Sequence, residues 1–201
     1  MNCVDIISKD INASCIGNER LEREAVIINK KDVVVSRDAG GMLTISIASG
    51  MKGYKVTQPA NNPYTGSNKA VVVGTYGNTI DKAITLVVPI DEMSFEGGTG
   101  QQSGGMRGLL NGEFVVITKL KDNVSEGTHP HRYEVIGLEN GATISEGAQE
   151  FYNEDTRGNW LVTLTETGAT EPHIYANACI EGTTVDDFNT ALDTWFASLT
   201  A

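Results

Sequence analysis

The sequence predicts a mainly β chain that forms one domain over residues 1–201 and ends in a single amphipathic helix. Three observations carry this. Short apolar stretches, several with a two-residue period, recur from Ala25 to Glu166. Twenty-two glycines against five prolines favour many tight turns between short strands over a disordered tail. An apolar period of three and four residues is clear only near the C-terminus. A chain of 201 residues buries roughly 70% of the surface its unfolded form exposes, so it needs no cross-links to hold a core.

The elements follow in order. Residues 1–24 read as an N-terminal arm, with a charged stretch at Asn18–Glu24. Ala25–Ile28 and Val33–Val35 read as strands, joined by a turn at Asn29–Asp32 into a hairpin. Met42–Ala48 alternates, with Leu43, Ile45 and Ile47 on one face. Residues 49–69 read as a loop; Gln58–Gly66 holds two prolines and a glycine and shows neither period. Loops of that length in a compact domain are usually functional or interfacial. Ala70–Val73 and Lys82–Pro89 are strands. Gly97–Gly105 is the most glycine-rich stretch, part of a flexible loop over 97–108 that leads into a short helical turn near 102–111.

Glu113–Leu120 and His131–Leu138 are strands, and Glu139–Gly141 is a turn because Asn-Gly supplies positive φ cheaply. Ala142–Phe151 continues as a hairpin arm. Asn159–Glu166 alternates, with Trp160, Val162 and Leu164 on one face. Val185, Phe188, Leu192, Trp195, Phe196 and Leu199 define one face of a helix over 185–199. Thr184 is its N-cap, and Asp186 and Asp187 suit its positive end. The total is about eight to ten strands and one terminal helix.

Composition narrows function. A net charge of −11 disfavours wrapping DNA or docking on an anionic membrane. Aromatics at 6% argue against a stacking surface for sugars or bases. Cys3, Cys15 and Cys179 lack CxxC spacing and read as free, mostly buried thiols of a reducing compartment, with a Cys3–Cys15 bridge as the alternative. The first residues lack the basic start and apolar core of a secretory signal, so synthesis and folding in the cytoplasm are expected. No apolar run approaches the ~18 residues that span a bilayer, so no membrane partner is expected.

Motifs for chemistry are missing. His129-Pro-His131 resembles a metal pair, but no further ligand lies at a suitable spacing, so no metal is expected. Glu154-Asp155 and Asp186-Asp187 read as solvated charge rather than an acid–base pair. The glycine-rich segment lacks Gly-Lys-Ser/Thr and is not a phosphate loop. A mobile loop that orders against a partner is the better reading. The expectation is therefore a non-enzyme without cofactors.

Tyr133-Glu-Val-Ile-Gly-Leu-Glu-Asn-Gly141 and Gly158-Asn-Trp-Leu-Val-Thr-Leu-Thr165 carry a resemblance. With the surrounding order of hairpin, long loop, glycine-rich loop and paired strands, the chain resembles bacteriophage tail-tube (major tail) proteins, particularly those of Bacteroides-like bacteria. The likeness covers about residues 113–175. It implies a β-sandwich or barrel-like subunit that closes into rings, commonly hexameric, which stack into a tube. Inner strands then form one continuous barrel. Partners are other copies and other tail proteins, and the location is the virion tail. Six copies at −11 carry −66 per ring, so DNA passes through an acidic lumen without specific binding. The loops at 49–69 and 97–108 become subunit contacts, which nominates Gln58, Asn61, Tyr64, Gly97, Gly100, Gln102, Met106 and Arg107 as interface residues. Another virion or injection-machine protein (connector, tube terminator, capsid decoration) is the alternative. A small β binding module or an unrecognised hydrolase is the remaining class.

Overall fold

Ala25-Val-Ile-Ile28 and Phe114-Val-Val-Ile117 each place four apolar side chains in a row. Successive strand residues point to opposite faces, so such a run needs an apolar layer on both sides. The computed structural model describes residues 21–37, 43–59, 64–75, 77–88, 108–124, 131–154, 156–172, 174 and 185–200, and it supplies both layers. Ten strands and one helix are described: β1 (Leu21–Asn29), β2 (Val33–Arg37), β3 (Leu43–Ile47), β4 (Tyr54–Thr57), β5 (Asn68–Gly74), β6 (Gly77–Val88), β7 (Phe114–Val124), β8 (His131–Ile136), β9 (Thr143–Gln149), β10 (Trp160–Ala169) and α1 (Val185–Ser198).

The strands form three antiparallel sheets. Sheet I has the order β4-β1-β7-β8, sheet II the order β5-β6-β10-β9, and β2 with β3 forms a two-stranded third. On β1 and β7 the side chains divide as the two-residue period demands. Ala25, Ile27, Phe114 and Val116 face sheet II, where they meet Ile84, Leu86, Val88, Val162 and Leu164. Val26, Ile28, Val115 and Ile117 face the other way, into a second core. The β2–β3 hairpin closes that second core with Leu43 and Ile45, and α1 closes it with Leu192 and Phe196, joined by Leu199 just past its end. Tyr133 on β8 sits at its centre, fully buried. Its ring stacks on Phe196 at 4.7 Å and meets Trp195 edge-on at 5.6 Å. Trp195 Nε1 donates to the Ile45 carbonyl at 3.0 Å, which pins the helix to the hairpin. The fold is a β-sandwich with a third layer behind sheet I.

The expected mainly β fold and C-terminal helix are present. So are the buried face of Met42–Ala48, through Leu43 and Ile45, and the inward face of Val162 and Leu164. Other expectations change. β1 and β2 do not form a hairpin: β1 pairs with β4 and β7, and β2 pairs with β3. A strand buried on both faces at the centre of a sheet needs two neighbours, and the 3₁₀ turn Lys30–Asp32 carries the chain out to the third layer. The loop expected over 49–69 contains β4, a short edge strand with only Val56 partly packed in the core. Leu21–Glu24 belongs to β1 rather than to an arm. β9 stops at Gln149, which leaves Phe151 in a turn. The helical turn is seen at Gly108 and Leu109. Residues 1–20, most of the glycine-rich loop, Thr184 and the three cysteines lie outside the described residues.

Candidate functional site

Sheet II differs from sheet I in that, among the described residues, one of its faces joins neither core and is buried only at Thr85. Its outward side chains include Ala70 and Val72 of β5, Asp81, Ala83, Thr85 and Val87 of β6, Glu146 and Ala148 of β9, and Leu161, Thr163 and Thr165 of β10. None belongs to either core. Threonine hydroxyls bridge its strands, Thr85 to Thr163 at 3.1 Å and Ser145 to Thr165 at 2.7 Å. Asp81 and Glu146 are its charged side chains among the described strand residues; Lys69, Lys82 and Glu166 point to the opposite face. The face therefore carries threonines, aliphatic side chains and two carboxylates, and it is acidic. Its two edges, β5 and β9, each pair with a single strand among the described ones. In sheet I the β8 edge is already used, because Val135 N–H donates to the Ile174 carbonyl at 2.8 Å.

The two ends of sheet II carry exposed apolar groups. β10 follows β6 only as far as Ile80, so β5 and the start of β6 continue alone as a two-stranded arm. On that arm Val71 is 67% exposed and Val73 is 83% exposed. The opposite end holds the β9–β10 turn, where Phe151 is 74% exposed and Tyr152 fully exposed. An unbroken Ala-Val-Val-Val run is a sequence signal for the first. A Phe-Tyr pair in an otherwise polar turn is a signal for the second.

The base of the arm is fixed by a buried ion pair. Lys82 Nζ lies 3.5 Å from Glu166 Oε2, with both side chains at most 1% exposed. The Glu166 carboxylate accepts three backbone N–H groups: Gly137 at 2.9 Å, Glu139 at 2.9 Å and Asn140 at 3.1 Å. Lys82 Nζ has no hydrogen bond. The donors converge because residues 137–141 curl into a turn with Gly137 at φ 87° and Gly141 at φ 81°. A Cβ on Gly137 would run into the Phe114 carbonyl, so glycine is required there twice over. The Tyr133–Gly141 run thus builds an anion cradle whose occupant is Glu166. Asp81 Oδ1 accepts the Gly168 N–H at 2.9 Å and ties the arm to the β10 bulge.

Glu139 reaches out of the same turn. Its carboxyl accepts Thr170 N–H at 2.9 Å, Thr170 Oγ1 at 2.8 Å and Glu171 N–H at 3.1 Å. Partial burial opposes ionisation, but those hydrogen bonds, helped by the Lys82 charge, hold its pKa below the ordinary carboxylate value. A folded pKa below the unfolded one gives stability that is present above the unfolded pKa and lost as pH falls through the folded value. Glu139→Gln is expected to cost less than about 1 kcal/mol at pH 7, because the group is solvent-screened. The gap from wild type should close as pH drops below the ordinary carboxylate range. Urea unfolding of both proteins from pH 7 to pH 3 measures it, and a gap that widens in acid would contradict the assignment.

Of the nominated interface residues, the described ones turn inward. Gln58 is 1% exposed; its Oε1 accepts Val87 N–H at 2.7 Å and its Nε2 donates to the Val87 carbonyl at 3.3 Å. The amide imitates a strand neighbour where β6 ends. Tyr64 is buried and its hydroxyl donates to the Arg23 carbonyl at 3.2 Å. Burial, then the nearby Glu24 charge, push its pKa up. Both side chains are spent within the subunit. Asn61, Gly97, Gly100, Gln102, Met106 and Arg107 lie outside the described residues.

Among the described residues no group of three or more His, Cys, Asp or Glu could hold a metal. No described helix is long and apolar enough to cross a membrane. No family model, curated protein or solved structure matches the chain.

Proposed function

We propose that the protein is a non-catalytic structural subunit that closes into a ring through sheet II and stacks into a tube, as a bacteriophage tail-tube subunit does. The observation that carries this is strand polarity. β5, β6, β10 and β9 alternate in direction, so β5 and β9 run oppositely. Rotation about an axis along the strands sets β9 of one copy beside β5 of the next as an antiparallel pair. Every junction is then of the same kind as those inside the sheet. Closure removes both edges, which would otherwise remain open templates for pairing.

The scale is suitable. Six four-stranded sheets give 24 strands. At a spacing of about 4.8 Å and a tilt of about 40°, 24 strands close into a barrel roughly 48 Å across its backbone. Such a lumen is wider than a DNA duplex. With the uncovered face inward, it is lined by Asp81 and Glu146, which repel phosphate and let DNA pass without adhering. Partners in this reading are further copies and other tail proteins, and the location is the virion tail.

Cysteine cross-linking tests the joint. Cysteines at Glu146 or Ala148 in β9, each paired with one at Ala70 or Val72 in β5, should give an oxidised ladder of oligomers ending at the ring number. The β9 cysteines paired with one at Tyr54 in β4 should give none. A ladder from the β4 pairings and none from β5 would overturn the assignment.

A further inference from the structure

The exposed apolar groups of sheet II lie at its two opposite ends. Gly74 and Gly77 close the tip of the arm, whereas Val88 pairs with Trp160 beside the β9–β10 turn. Eleven residues of β6 separate those ends, about 36 Å at strand rise. The arm presents the aliphatic residues Val71 and Val73, and the turn presents the aromatic residues Phe151 and Tyr152. Two different patches on opposite ends of one element cannot cover each other within a subunit. In a ring every copy points its arm the same way, so a two-fold relation between stacked rings would set arm on arm and turn on turn and would leave the unlike patches apart. Translation along the strands brings the arm of one copy to the turn of the next and covers both. Nothing charged on the described arm beyond Asp81 opposes that contact.

Resting on the ring reading, we infer that the β5–β6 arm of each subunit docks on the Phe151–Tyr152 turn of a copy in the adjacent ring. The occupant of each patch is thus a second copy of this chain. The stack is polar, with arms leading at one end and aromatic turns at the other. Ring closure uses the long edges of sheet II, and stacking uses its short ends, so the two contacts are separable by mutation.

Val73→Lys and Tyr152→Glu test this on the full-length chain. Both positions are exposed, and ring formation by each variant reports that it folds. In negative-stain images each variant alone should give single rings and no tubes, because one of its two ends is spoiled. A one-to-one mixture should recover tubes, since the lysine arm meets the glutamate turn and the two unaltered ends meet each other. Single variants that still stack, or a mixture that stays as separate rings, would remove the docking and leave the ring standing. A variant that loses its rings too would put that side chain in the lateral joint and also overturn the docking. Wild-type protein that never forms rings would remove both.

Discussion

Glu166→Leu should lose about 3–5 kcal/mol of stability, the usual cost of stripping one partner from a buried ion pair. That is a large share of the ~5–15 kcal/mol that holds a domain of this size. The loss has two sources. The Lys82 ammonium is left buried with no counter-charge. The N–H groups of Gly137, Glu139 and Asn140 lose their acceptor inside the fold, and each such orphan costs about 1–3 kcal/mol. Lys82→Met should behave differently. It removes a group that makes no hydrogen bond, and it leaves the carboxylate held by three N–H donors. Its cost should be about 1–2 kcal/mol. The double variant should recover part of the Glu166→Leu loss, because the stranded ammonium is gone, but not all of it, because the three donors remain without an acceptor. Urea midpoints at pH 7 give the ranking. Equal losses from the two single variants, or a larger one at Lys82, would mean that the ion pair and not the cradle dominates.

The cradle also shows where sequence reasoning reaches its limit. The period of two identified the inward face of β10 through Val162 and Leu164 and the buried face of β3 through Leu43 and Ile45, because both strands have one apolar side. The same rule names the strands of the continuous runs at Ala25 and Phe114 but cannot say what lies on either face. The third layer that covers them comes from elements far along the chain. Asn140-Gly141 announced its turn, since that dipeptide takes positive φ readily. Nothing local says that the turn binds Glu166, a residue 26 positions from Asn140. Gln58 and Tyr64 lie in a polar, aperiodic segment, which reads as interface. Their side chains in fact complete strand edges from inside, which only the packed sheet makes visible. Asp81 and Glu146 became a shared face through register, and register is a property of pairing between strands rather than of any one of them.

Phe196→Ala should cost about 3–5 kcal/mol, the range for removing a buried phenylalanine side chain. Phe196 is 7% exposed and its ring lies on Tyr133, a fully buried residue of β8 in sheet I. Collapse into the vacated space is restricted. The far side of sheet I is held by the sandwich core, and the near side is spanned by the Trp195–Ile45 hydrogen bond. The cavity therefore persists, and its cost adds to the lost transfer energy. Trp195→Phe is the comparison: it keeps an aromatic ring beside Tyr133 and gives up one hydrogen bond, so about 1 kcal/mol is expected. Thermal and urea unfolding should rank Phe196→Ala well above Trp195→Phe, and the reverse order would place the helix outside the core. The two substitutions lie behind sheet I, away from the edges and ends of sheet II. Below its own melting midpoint Phe196→Ala should accordingly still form rings, whereas Val73→Lys, which leaves the core intact, should lose tubes at unchanged stability. That crossed outcome separates what holds the subunit together from what joins it to its neighbours.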